Sequence, residues 1–332
     1  MRNDCACARP SPHLLRPTPN AAKPLARMEG AVHGDKETKN RAKVQPAIWA
    51  ALWVLFTSAL IALIIKVDVV GLVRLFTALR VKFGSIKAFV FACLMRLSFM
   101  PAWPESHAIL AGAVRNEIDH FSFAPTASTL WKHDDVGLLF IPGALVEPEA
   151  YAPILQAVAD ASGATIVCAR LPFRHPILFG ADDAQRLMQE YPKVARWVIG
   201  GHSMGAGKYG AAGLLTTEVG ANFSGLLMWA GTLTGDLDLS GERKLPCLAL
   251  LASEDTVVPP DGKAEDGSLV MDGVTTRCPP GAKHAILQGG NHAGFAHYGP
   301  QRFPFADGER RITLEEQQAH AVQHTARFLM DI

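Results

Sequence analysis

Apolar and polar positions change rhythm three times along the chain. Residues 1–45 are rich in Pro, Ala, Arg and Lys and have no apolar periodicity, which predicts a disordered basic tail. Up to Met28 its bases (Arg2, Arg9, Arg16, Lys23, Arg27) face one acid, Asp4, a balance that also suits an organelle transit peptide. The run from Ala47 to Ile65 is uncharged and almost wholly apolar, bounded by Pro46 and Lys66. At about 1.5 Å per residue it approaches the ~30 Å hydrocarbon core, so it predicts a transmembrane helix over 46–66, with Trp49 and Trp53 near one boundary. Lys36, Lys39, Arg41 and Lys43 on one side nearly balance Lys66, Arg74, Arg80 and Lys82 on the other, so charge does not orient the span. Over 67–105, Arg74, Arg80, Lys82, Lys87 and Arg96 interrupt the apolar runs without defining a clean polar face. This reads as a membrane-proximal helical segment that ends at Pro101 and Pro104.

From 106 to 332 the pattern becomes an alternation of short apolar runs and helical periodicities. Strands are expected at Asn116–Phe123, Val136–Ile141, Ala164–Ala169, Arg196–Ile199, Phe223–Trp229, Pro246–Ala252 and His284–Gln288. Helices are expected at Glu147–Ala161, Asp182–Tyr191, Ala206–Thr217 and Ile312–Met330. Such βαβ alternation defines an α/β domain with a mostly parallel, doubly wound sheet covered on both faces.

Composition changes this picture little. The formal charge is +1, so no global field recruits nucleic acid. Cys5, Cys7, Cys93, Cys168, Cys247 and Cys278 form no metal-ligand spacing, and Cys168 and Cys247 lie in apolar runs, as buried free thiols do.

Chemistry is concentrated in Gly201-His202-Ser203-Met204-Gly205, a G-x-S-x-G sequence directly after an apolar run. A serine in that setting sits on a strained strand-to-helix turn with its hydroxyl exposed at the top of the sheet. Such a nucleophile needs a base, an acid to orient the base, and oxyanion donors, with the acid preceding the histidine along the chain. Asp255, just past the 246–252 strand, is the candidate acid, with Glu254 as competitor. His292, in Gly289-Gly290-Asn291-His292-Ala293-Gly294-Phe295, is the candidate base. His297 is its nearest rival, and His284 lies within a strand. His202 is read as structural, its side chain pointing away from that of Ser203. The oxyanion donors are expected to be the backbone N–H of Met204, at the start of the elbow helix, and that of Ala144 in Pro142-Gly143-Ala144-Leu145, with Gly143 as the alternative.

Together with Phe140–Val146, Tyr151-Ala152-Pro153 and Tyr298-Gly299, these motifs resemble the α/β-hydrolase superfamily. The likeness is strongest to its compact, lidless, dienelactone-hydrolase-like members, the α/β-hydrolase fold-5 group, and spans roughly Ile109 to Ile332. The resemblance implies that Ser203, Asp255 and His292 act as nucleophile, acid and base. The long polar tail and an inserted polar stretch from Asp261 to Ala282 depart from the pattern. The expected function is a membrane-anchored serine hydrolase that cleaves small-molecule carboxylic esters through an acyl-enzyme, without metal or organic cofactor. A thioesterase, lactonase or acyltransferase with the same triad, or a catalytically idle membrane-tethered module, is the alternative. The segment Ala230–Leu245 is too short for a helical lid, so an open site is expected. Leu171–Phe179 could wall it, with Arg174 or His175 contacting an anionic group.

Overall fold

The computed structural model describes residues 99–125, 133–233, 237–241, 244–259, 262–263, 269–270, 276–302 and 305–332. The expected tail, the expected span over 46–66 and most of the segment over 67–105 lie outside the described residues. Among the described residues no helix is long and apolar enough to cross a membrane.

The strands, in chain order, are β1 (Arg115–Asn116), β2 (His120–Phe123), β3 (Val136–Ile141), β4 (Thr165–Ala169), β5 (Arg196–His202), β6 (Phe223–Trp229), β7 (Cys247–Ala252), β8 (Gly262–Lys263), β9 (Leu269–Val270) and β10 (Lys283–Leu287). The α-helices are α1 (Pro104–Ile109), α2 (Ala152–Ser162), α3 (Ala181–Gln189), α4 (Ala211–Leu214) and α5 (Leu314–Met330). Eight strands form one sheet in the order β1-β2-β4-β3-β5-β6-β7-β10, and β8 and β9 pair separately. β1, β2 and β4 are joined antiparallel; from β4 to β10 every pairing is parallel.

The sheet is buried on both faces, and side-chain alternation divides its residues between two cores. Leu138 and Phe140 of β3, Val198 of β5, Leu227 and Trp229 of β6 and Leu248 and Leu250 of β7 face α2 and α5. The intervening Leu139, Ile141, Ile199, Leu226, Met228, Ala249 and Leu251 face α3 and α4. Complete burial of each large aliphatic side chain is worth about 1.5–3 kcal/mol. The helix ends follow from local chemistry. Gly163 closes α2 in a left-handed conformation at φ 74°. Thr313 and Glu316 cap α5 reciprocally: Thr313 Oγ1 accepts from Glu316 N–H (3.1 Å) and Glu316 Oε2 accepts from Thr313 N–H (2.8 Å).

The chain runs from β3 outward to β4, then crosses back to place β5 on the other side of β3. The carboxyl ends of β3 and β5 therefore flank a topological switch point, where open α/β sheets form their ligand crevice.

The fold differs from expectation in three places, in the early strand, the helix after Ser203 and the start of the packed domain. The early strand is two, β1 and β2, separated by the turn at 117–119. The helix expected at Ala206–Thr217 is reduced to a 3-10 turn at Ser203–Gly205 and the four-residue α4. Gly205, Gly207, Gly210 and Gly213 explain the reduction, since glycine costs ~1 kcal/mol per helical position relative to alanine. Residues 99–105 pack into the sheet domain: Met100 N–H donates to Leu145 O (2.9 Å) and Glu147 N–H to Met100 O (3.0 Å). The described part of Ala230–Leu245 buries Leu233, Leu237, Leu239 and Leu245 in the α3–α4 core.

Candidate active site

Ser203 follows β5 with φ 55°, a left-handed conformation that is strained for a residue bearing a Cβ. The turn is possible because its flanks are glycines: a Cβ on Gly201 would collide with the Gly205 carbonyl, and one on Gly205 with the carbonyl oxygens of Ile141 and Pro142. The same close approach brings the Ser203 turn against the loop after β3.

Asp255 follows β7, and its Oδ1 accepts from the N–H groups of Val257 (2.8 Å) and Val258 (2.7 Å). Its Oδ2 accepts from Nδ1 of His292 at 2.7 Å, and both side chains are buried. That bond places the imidazole proton on Nδ1 and leaves Nε2 as the basic nitrogen. Glu254, the competing acid, is turned elsewhere: its Oε2 lies 3.2 Å from Arg311 Nε and its Oε1 accepts from Ser253 Oγ (3.1 Å). His297 Nε2 bonds Gln318 Oε1 (3.0 Å), and His284 is exposed on β10.

Ser203, Met204, Ala144 and His292 line one cavity of about 500 Å³. The structure thus joins Asp255 to His292 by a hydrogen bond and sets Ser203 on the same cavity, with no direct bond between Ser203 and His292. Such catalytic bonds commonly tighten only with substrate in place. Of the two oxyanion candidates after β3, Gly143 donates its N–H to Tyr151 Oη (3.0 Å). The neighbouring Ala144 N–H makes no protein hydrogen bond among the described residues. The brevity of the Ser203–Gly205 turn removes the expected helix dipole from Met204, leaving only the local N–H.

Sequence reasoning did not assign the groups that hold these loops together. Tyr151 Oη, besides accepting from Gly143, donates to His202 Nδ1 (2.8 Å), and His202 Nε2–H donates to the His292 carbonyl (3.1 Å). Burial, with the neighbouring His292, holds the His202 pKa well below the ordinary histidine range, which matches this single-proton pattern. One neutral ring thus ties the nucleophile turn to the loops after β3 and β10. Asp307 Oδ1 accepts from His292 N–H (3.2 Å) and Gly308 N–H (2.8 Å), and Oδ2 accepts from Ala293 N–H (2.8 Å). Burial pushes the Asp307 carboxyl up, and these backbone donors oppose that rise. Gln317 of α5 clasps Asn291 at both backbone groups: Oε1 accepts from its N–H (3.0 Å) and Nε2 donates to its carbonyl (2.7 Å). The only sequence signal for these supports was that Tyr151 and Asn291 lay in motif stretches; Asp307 and Gln317 gave none.

Arg174, expected to meet an anionic group, is paired with Glu147 (3.2 Å), its guanidinium stacked 3.3 Å from the centroid of Phe99. His175 lines the cavity. Cys168 and Cys247 are buried and free, as is Cys278. Among the described residues, one group has metal-ligand proximity: Asp119, His120 and Glu190. Arg186 Nη1 lies 2.6 Å from Asp119 and Arg115 Nη1 2.7 Å from Glu190. Two guanidiniums already neutralise both carboxylates, so this cluster is an ion-pair network rather than a cation site.

A doubly wound sheet with a strained serine at its switch point and a buried imidazole–carboxylate pair in the adjoining loops defines an α/β protein built for hydrolytic chemistry. Residues 137–319, more than half of the chain, match the model of the alpha/beta hydrolase family, and the chain belongs to that family. No curated relative matches it. Similar solved structures include an esterase from Pyrobaculum calidifontis, at 13% identity over 73% of this chain and 90% of that one, with a TM-score of 0.46. A predicted CIB-like hydrolase from Thermoplasma acidophilum has 18% identity over 64% and 93%, with a TM-score of 0.39. Esterase 2 of Thermogutta terrifontis has 14% identity over 64% and 90%, with a TM-score of 0.40.

Proposed function

We propose that this hydrolase is a serine esterase. Ser203 attacks the carbonyl carbon of a carboxylic ester while His292 Nε2 takes its proton. The carboxylate of Asp255 holds the imidazole in the required tautomer and stabilises the imidazolium. The N–H groups of Met204 and Ala144 receive the oxyanion, the alcohol leaves with the proton from His292, and water activated by the same nitrogen releases the acid. No metal or organic cofactor enters these steps. The segment over 46–66 anchors the enzyme to a bilayer. The observation that carries the reading is the buried 2.7 Å bond from His292 to Asp255 on the cavity that Ser203 also lines.

Two measurements test it. A fluorophosphonate should label Ser203, and Ser203→Ala should abolish labelling and lower kcat for p-nitrophenyl esters by at least ~10⁴-fold with an unchanged circular dichroism spectrum. Folded protein that resists the probe, or an alanine variant that keeps its turnover, refutes the assignment.

A further inference from the structure

His175 has a place in the cavity that the reaction does not use. It is only 4% exposed, yet it lies on the cavity wall. Its Nδ1 accepts from Ile177 N–H at 3.4 Å, which leaves the ring proton on Nε2. Among the described residues, the ring makes no other hydrogen bond. Burial brings its pKa down to about 4, so the ring is neutral at pH 7.

The ring is also held firmly. Phe173 and Arg174, just before it, have φ of 51° and 56°. Arg174 O accepts from Leu145 N–H (2.6 Å), and its guanidinium is fixed by Glu147 and Phe99. Leu145, at the other end of that bond, is itself at φ 67° and lies beside Ala144. Three strained non-glycine residues thus flank a neutral imidazole that lines a cavity whose walls include Leu145, Val146, Val257 and Val258. A substrate oxygen that takes the place of water at this N–H, among largely apolar walls, gains a hydrogen bond that a plain alkyl chain cannot make.

Resting on the serine-esterase reading, we propose that His175 determines specificity: its Nε2–H donates to a second, uncharged oxygen of the substrate, apart from the ester being cleaved. The substrates are then alkoxy-, hydroxy- or keto-substituted esters in preference to plain alkyl esters. A neutral imidazole has no charge with which to select an anion. Arg174 is engaged with Glu147, and Lys208, the cationic residue among the cavity's described lining, is exposed.

Matched substrates test this. p-Nitrophenyl methoxyacetate and p-nitrophenyl butyrate differ by one oxygen for one methylene on the acyl side; 2-methoxyethyl acetate and butyl acetate do so on the alcohol side. The kcat/KM ratio within each pair is divided by the ratio of hydroxide-catalysed rates, which removes intrinsic reactivity. The wild-type full chain should favour the oxygenated member of at least one pair by about five- to tenfold after this correction. His175→Phe should bring the corrected ratio to about one, while His175→Gln, which keeps a donor, should retain part of the preference. His175→Leu replaces the Phe variant if circular dichroism shows the latter unfolded. Corrected ratios near one in both pairs for the wild type, or a preference that survives loss of the donor, overturn the proposal. Fluorophosphonate labelling in the same samples separates the two readings: no label defeats the serine mechanism, whereas label without oxygen preference defeats only the role of His175.

Discussion

Single residues set the chemistry of this site mainly by where they force the backbone to go. Ser203 at φ 55° can be presented only because Gly201 and Gly205 leave room for the carbonyls that cross beneath it. Asp307 does the corresponding work for His292. Its two oxygens collect three backbone N–H groups at 2.8–3.2 Å and fix the loop from which the imidazole projects. Asp307 is therefore a positioning residue, and its loss should act on kcat rather than on substrate affinity. Asp307→Ala is expected to lower kcat about 10- to 100-fold with KM within about twofold, because a misplaced base slows the transition state more than it weakens binding. Steady-state kinetics on a soluble p-nitrophenyl ester check this; a change confined to KM would be incompatible with the role.

At the scale of elements, the helix farthest along the chain serves the site most directly. α5 packs on α2 and covers one sheet face, with Trp229 Nε1–H donating to Thr325 Oγ1 (3.0 Å). On that frame Gln317 clasps both backbone groups of Asn291, the residue before the candidate base. Replacing the amide with an apolar side chain strands a buried donor and a buried acceptor, at ~1–3 kcal/mol for each group. Gln317→Leu should accordingly lower the urea midpoint by an amount equivalent to about 2–6 kcal/mol, with the denaturant slope unchanged. A loss below ~1 kcal/mol would show that the clasp contributes little. The short α4 teaches the converse: an apolar, small-residue stretch reads as helical, but its glycines let the chain fold as tight turns packed under the Ser203 loop.

For the whole molecule, the proposed anchor and the packed α/β unit make separate demands. If 46–66 spans a bilayer, the full chain expressed with membranes should stay in the pellet after alkaline carbonate extraction and leave it only with detergent. Appearance in the carbonate supernatant would remove the anchor from the proposal. The packed unit starts earlier than the change of sequence texture suggests, since Met100 is hydrogen-bonded on both sides to the chain beyond β3. Proline positions had set the expected boundary, and backbone pairing set the observed one. The sheet itself was legible. Val136–Ile141 and Phe223–Trp229 stand where the apolar runs predicted, because a strand buried on both faces is an unbroken apolar run.

From residue order alone came the alternation of strands and helices, the elbow around Ser203, and Asp255 and His292 as candidate partners. These rest on local rules: periodicity, glycine spacing and the fixed order of the motifs. The tertiary structure decided what depends on atoms distant in sequence. It chose Asp255 over Glu254 as the neighbour of His292 and engaged the Gly143 N–H with Tyr151. It turned Arg174 onto Glu147 and recruited Asp307 and Gln317 to loops to which no spacing linked them. The reason is physical. A hydrogen bond across the fold is set by which strand ends the sheet order brings together, and that order follows from packing the two faces as a whole.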